Sequence, residues 1–368
     1  MIISYLKSKS FWIPTALFVI FLSSFIVFMQ TGQVKYYDLS RTLSQWDGQH
    51  YLSIARDGYR KFPCAYNASY ICGNIGWFPF YPLVGWLLSL GGLLNVDWVL
   101  LIISWLSCWL ALLLLCSIVE KKHGLTTAGY TAAAMLFYPA SFYFLTSFPY
   151  SLYLLMAVIL YVLLDRHCYA LLWPFTLALS VTYPSGLVAA LPVAYTLVSR
   201  WKSESMKDKV WLLLGTVAPA VGLILYGMYY QLKFGDFFLY QHFQAQGYYA
   251  HEISFPFSVI YDTFKFQNFN SPIFLILLFL VVTLVLFYTR KVSVRWQLFM
   301  FAVLLFTPTF GTTDCYYRHV VVAFPLFMMV GYSANSFWRR LLFPAYILGS
   351  LVLMWKIFVP MFKLGGLM

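Results

Sequence analysis

The residues Trp46-Asp47-Gly48-Gln49-His50 open a segment that runs Tyr-Leu-Ser-Ile-Ala-Arg-Asp-Gly to Tyr59, and Trp77-Phe78-Pro79-Phe80-Tyr81-Pro82 follows it. A carboxylate one helical turn from an imidazole, framed by aromatic rings, can take a proton from a sugar or lipid hydroxyl. Asp47 is the residue on which that chemistry would rest. Ile54, Ala55 and Tyr59 alternate with polar residues at roughly helical spacing. They predict an amphipathic helix lying on a membrane surface with Asp47 at its start. A helix N-terminus keeps such a carboxylate ionised. The same position also suits a simple N-cap, so periodicity alone leaves capping and catalysis both open.

The segments that must position these residues are almost entirely apolar. The chain has 368 residues, 62% hydrophobic, 21% aromatic and only 10% charged, which excludes a soluble domain. Apolar runs recur at 11–29, 97–119, 126–146, 148–164, 169–183, 184–199, 210–230, 272–289, 296–309, 319–336 and 341–360. Many approach the roughly 20 residues that a helix needs to cross a bilayer. They do not alternate as the strands of a β-barrel do. The expectation is an all-α polytopic, multi-pass membrane protein, a single domain over 1–368 with about 10–12 transmembrane helices. The net charge of +12 lies in short clusters between the apolar runs. Such clusters orient helices and meet lipid headgroups, so membrane lipids are expected partners and nucleic acid is not. Lys7 and Lys9 before 11–29 resemble the start of a signal peptide, but the run reads as an uncleaved first span.

Arg200–Lys209, Arg290–Arg295 and Arg339-Arg340, with Lys121-Lys122 and Arg166 as weaker markers, predict cytoplasmic loops. Sidedness then closes if the Pro- and Gly-rich stretch 79–94 dips in and returns, or if a neighbour such as 126–146 is the segment that does not cross. Either way the first outer loop 30–78, the second outer loop 231–271 and Gly311–Arg318 share the outer face. Of the six cysteines, Cys64 and Cys72 share one loop and could bond in an oxidising compartment. No Cys/His spacing suggests zinc, and Asp-x-Asp is absent from the outer loops. Asn67-Ala68-Ser69 is a glycosylation triplet of a kind that also arises by chance.

The blocks Trp46–Tyr59 and Phe78-Pro79-Phe80-Tyr81-Pro82-Leu83 together resemble the signature of the PIG-V-like mannosyltransferases, a family of GT-C superfamily glycosyltransferases. Looser similarity continues through Tyr138–Tyr143, Ser151-Leu152, Thr182–Leu187, Tyr317-Arg318-His319 and Phe324-Pro325-Leu326-Phe327. Two positions depart from the pattern: Tyr150 stands where the family usually has Glu, and Tyr183 where it usually has Arg. The resemblance implies a GT-C-like bundle with amphipathic helices in the first loop and an extracytoplasmic active site. It implies transfer of a hexose, mannose above all, from a polyprenyl-phosphate donor to a lipid-linked or surface glycan acceptor. The membrane would be the plasma or inner membrane of a prokaryote, or the endoplasmic reticulum of a eukaryote. Asp47 would be the base, and Arg318 the cation for the leaving phosphate. Trp46, His50, Arg60, Lys61, Phe78, Tyr81, Tyr317 and His319 complete the expected substrate-binding set. Arg318 also reads as an interface anchor and Arg60 and Lys61 as headgroup anchors. Aromatic and amide side chains between Phe237 and Phe257 (Tyr240, Tyr248, Tyr249, Gln241, Gln244, Gln246, with His242 and His251) suit sugar stacking or an ordinary interfacial belt. No metal site is assigned, although a divalent cation is left open. A transporter or flippase of a lipid-linked saccharide is the other reading. Against it, the charges lie at helix ends and no repeat is visible.

Overall fold

The computed structural model describes residues 8–31, 39–246, 250–269 and 271–363, so Lys7, Tyr248 and Tyr249 lie outside the described residues. In chain order the α-helices are α1 Lys9–Thr31, α2 Leu39–Thr42, α3 Asp47–Asp57, α4 Phe80–Leu88, α5 Val96–His123, α6 Leu125–Leu136, α7 Tyr150–Asp165, α8 Leu172–Ser180 and α9 Ala190–Ser199. Then follow α10 Met206–Phe234, α11 Leu239–Ala245, α12 Pro256–Phe266, α13 Pro272–Phe287, α14 Val294–Thr309, α15 Tyr316–His319, α16 Phe324–Ala334 and α17 Phe337–Lys363. Three quarters of the protein is helical. Parts of α1, α5, α10 and α17 are long and apolar enough to cross a bilayer by length and composition. The protein is an all-α membrane protein with one small β-hairpin, β1 Lys61–Pro63 against β2 Ile71–Gly73.

Several expected spans are not continuous helices. The run 126–146 is helical only to Leu136, because Pro139 disfavours helix just before it, and a 3₁₀ turn Ser141–Leu145 follows. The runs 169–183 and 184–199 hold α-helices of 9 and 10 residues behind 3₁₀ turns. The run 319–336 breaks at the 3₁₀ turn Val320–Val322 before Pro325 starts α16. In 79–94 the helix α4 has 9 residues, about 14 Å at 1.5 Å per residue, half of what a bilayer core demands. Leu90, Gly91 and Gly92, all at positive φ, then turn the chain back into α5.

Where lipid-like side chains surround every helix, close approach depends on small residues. A Cβ at Gly331 of α16 would lie 2.0 Å from Thr131 Oγ1 and 2.9 Å from its backbone nitrogen on α6. Gly331→Ala is therefore expected to push the two helices apart and cost about 1–3 kcal/mol. Thermal unfolding in detergent, wild type beside variant, checks it. Buried tyrosines provide polar cross-links between helices: Tyr81 donates to Leu100 O (2.9 Å), Tyr153 to Ser185 O (3.1 Å) and Tyr346 to Ala134 O (3.0 Å).

One end of the bundle gathers the basic loops. Asp165 pairs with Lys122 (3.3 Å) and Arg295 (3.4 Å), and Glu204 pairs with Arg200 (3.4 Å) and accepts from Tyr169 (2.8 Å). The other end gathers the segments around Asp47.

Candidate active site

The first loop is held by a dense set of backbone-directed bonds. Tyr51, Leu52, Ile54 and Ala55 face the core from α3. Gly48 rests against Ser147 O and the Phe148 ring, each 3.5 Å from where a Cβ would sit. Asn74, 3% exposed, is the centre of the loop. It accepts the Arg60 N–H (2.8 Å) and donates to Ser53 Oγ (2.8 Å) and Gly58 O (3.1 Å). Tyr230 donates to Ile75 O (2.7 Å), Tyr59 to Trp77 O (2.6 Å) and Tyr226 to Trp77 O (3.1 Å), tying the loop to α10. The hairpin is closed by a Cys64–Cys72 disulfide. Asn74→Ala leaves buried donors and acceptors unmatched and is expected to cost about 1–3 kcal/mol. Its readout is earlier proteolysis between Arg60 and Trp77 in the folded protein.

Asp47 is not a cap. Trp46 occupies the N-cap position at φ 54° and Asp47 is the first residue of α3. The Asp47 Oδ2 instead meets Arg318 Nη2 at 2.7 Å, with side chains 27% and 15% exposed. Arg318 arrives through Cys315, also at positive φ (54°), whose carbonyl accepts the Arg318 N–H at 3.0 Å. A non-glycine residue in this region costs on the order of 1–3 kcal/mol. One stands immediately before the acid and another three residues before its partner. The guanidinium lies over the Phe148 ring at 5.8 Å and among Tyr143 and Tyr150, and its Nε is buried without a hydrogen-bond partner. Burial pulls the Arg318 pKa down, Asp47 pushes it up, and the net direction is up.

Behind the ion pair, Tyr150 and Tyr183 share a hydrogen bond of 3.2 Å, and Tyr183 OH meets His319 Nδ1. The two positions that depart from the family pattern are thus mutual neighbours. The sequence marked each one singly and carried no sign of their contact, since they lie on different elements.

The remaining expected residues divide. His50 stacks on Trp77 with ring centroids 3.5 Å apart, so it braces the loop beside Asp47. Trp46 is half-buried against the core at the helix start. Tyr81 turns its edge to Tyr51 and bonds Leu100 and Ser104. Phe78 packs on Tyr226 and Tyr240. Tyr317 stands beside Tyr143. Arg60 is 61% exposed and pairs with Asp57 at 3.0 Å, and Lys61 is exposed on β1. The Asp57 contact does not tie Arg60 to the ion pair. In the second loop the amides serve structure: Gln246 accepts from Ile71 N–H (2.8 Å) and donates to Ile71 O, Gln244 reaches Gly76 O (3.5 Å), and His242 pairs with Asp236 (2.8 Å). The described parts of 30–78, 231–271 and Gly311–Arg318 therefore do meet at one end.

Burial lowers the His50 pKa below the usual 6.5, against the opposing pull of Asp47, so the ring is neutral at pH 7. A base whose folded pKa is depressed gives stability above its unfolded value that is lost as pH falls through the folded one. Thermal stability is expected to fall as pH drops below 6.5, less so in His50→Phe, which keeps the stacking and cannot be protonated.

Among the described residues, no group of three or more His, Cys, Asp or Glu side chains is placed to hold a metal ion. No protein-family model matches this chain, and no curated protein matches it. What the molecule presents is an all-α membrane protein with an acid–guanidinium pair, walled by aromatics, at the end of the bundle opposite its basic loops.

Proposed function

We propose that the protein is a multi-pass membrane glycosyltransferase of GT-C-like architecture. It moves a hexose, mannose by resemblance, from a polyprenyl-phosphate donor to a lipid-linked or surface glycan acceptor on the extracytoplasmic face. The Asp47–Arg318 pair carries this reading, because it joins the two segments to which the sequence resemblance assigns base and phosphate roles. The acceptor hydroxyl gives its proton to Asp47 while its oxygen attacks the anomeric carbon. The bond from that carbon to the phosphate oxygen breaks, and the phosphate leaves with its charge held by Arg318. The buried, unpartnered Nε of Arg318 offers a donor for a phosphate oxygen. Before turnover the phosphate must compete with Asp47 for the guanidinium, and that exchange frees the carboxylate as a base.

The Tyr150–Tyr183 contact bears on activity. If the family's Glu and Arg occupied these neighbouring positions, they would form an ion pair with no net charge. Two hydrogen-bonded tyrosines replace it with no change in the charge around Arg318. The test is sugar transfer by purified protein from a panel of polyprenyl-phosphate hexoses into a crude lipid extract. Transfer is the expected result. No transfer from any donor, with a saccharide-lipid instead crossing liposomes, overturns it in favour of a flippase.

A further inference from the structure

The second loop carries a surface that the ion pair does not use. Between Ile253 and Phe269 the side chains of Ile253, Phe255, Phe257, Tyr261, Phe266 and Phe269 are 57–86% exposed. Helix α12 is exposed around most of its circumference, including Lys265 and Phe266 near its end. Thr263 is buried and faces the protein, Ser258 and Asp262 form a polar exposed strip, and Phe257 and Tyr261, one turn apart, form an apolar exposed edge. The apolar edge does not stand alone. Phe269 and Phe264 both pack on Phe274 at the start of α13, with ring centroids 5.0 and 5.3 Å away. The outer flank of α13 continues as exposed Leu278, Val281, Val282 and Val285. An apolar flank of a membrane protein faces acyl chains, so the aromatic edge is continuous with a lipid-facing surface. Phe and Tyr above such a flank, with Lys265 beside them, match the chemistry of the headgroup zone.

We propose that Ile253–Phe269 lies flat in the headgroup region of the bilayer, with Phe257 and Tyr261 directed to the acyl chains and Ser258 and Asp262 to water. The segment is also fastened to the chain that delivers Arg318. Ser254 N–H donates to Thr309 O (2.9 Å), Thr263 and Thr313 hydroxyls bond at 2.9 Å, and a Cβ at Gly311 would lie 3.0 Å from Glu252 O. Seating α12 therefore sets the height of the 309–318 loop above the lipid. This holds whether or not the protein transfers sugars.

The test places a benzoylphenylalanine photoprobe at position 257, 261, 258 or 262 of the full chain. The protein is reconstituted in phosphatidylcholine–phosphatidylglycerol vesicles containing radiolabelled phospholipid, and each variant is checked for a single size-exclusion peak. The expected result is several-fold more lipid label at 257 and 261 than at 258 and 262. Equal labelling at all four positions, or cross-linking of 257 to a second protein copy instead of to lipid, overturns the proposal. A variant that fails size exclusion is replaced by a spin label at Phe257→Cys in a Cys168→Ser background, where oxygen must relax the label more than a water-soluble nickel chelate does.

Discussion

Asp47→Asn is expected to slow hexose transfer by orders of magnitude while tightening the binding of polyprenyl phosphate. The loss follows from general-base chemistry: an amide cannot accept the acceptor's proton, which lowers the rate by roughly 10²–10⁴-fold. The gain follows from the ion pair. On the proposed reading a phosphate must displace the Asp47 carboxylate from Arg318, 2.7 Å away in wild type. A partly exposed pair is worth on the order of 1 kcal/mol, so removing that competitor is expected to improve phosphate affinity about fivefold. Native mass spectrometry or thermophoresis with polyprenyl phosphate, beside the transfer assay, reads both effects in one preparation. Unchanged affinity with lost transfer would leave the base in place and remove the competition. Full activity in the variant would remove the base itself.

Arg318→Ala is expected to damage both stability and donor use. It strands the Asp47 carboxylate among the aromatic rings that wall the pair. Leaving one partner of a buried pair alone costs several kcal/mol. Because the Asp47 side chain is 27% exposed, the expected figure here is about 1–3 kcal/mol. The double variant Asp47→Asn with Arg318→Ala is expected to regain most of that stability and none of the activity. Arg318→Lys keeps the charge and loses the planar fork, so it should retain more stability than donor affinity. Thermal unfolding of wild type, Asp47→Asn, Arg318→Ala and their double variant in one detergent gives the coupling energy directly. A coupling near zero would mean that the pair is not formed in solution.

How far the sequence reaches depends on the range of each interaction. The helical start at Asp47 and the approach of the three loops were legible, because local periodicity and charge placement encode them, whereas the apolar face of that helix, expected on the membrane surface, packs on the protein core through Tyr51, Leu52, Ile54 and Ala55. The partnership of Asp47 with Arg318 was reachable only as two separate roles implied by resemblance, since nothing near Asp47 names a partner near the other end of the chain. The contact of Tyr150 with Tyr183, and that of Tyr183 with His319, were not legible at all: they depend on how α7 and the 3₁₀ turn after Tyr183 pack. Asn74 was missed for a related reason. A loop asparagine reads as a turn former, and only the assembled loop shows it bonding Ser53, Gly58 and Arg60 at once. Gln244 and Gln246 failed in the opposite sense: their composition suits a sugar, but the backbone of the hairpin loop uses their amides. Helix lengths were overread at Pro139 and Pro325, where hydropathy does not register a break in the chain, whereas Pro14, Pro219 and Pro308 lie inside continuous helices.

Asp47 and Arg318 come from opposite ends of the chain, and this has a consequence for biogenesis. A ribosome adds about 5–20 residues per second, so Arg318 is made tens of seconds after Asp47. Throughout that interval the carboxylate waits at the bilayer without its cation, while the helices between them enter the membrane. The site therefore cannot close on a partial chain. A nascent protein stalled before Arg318 would carry the acid without its partner, so the pair forms only after the helices between the two residues have been made.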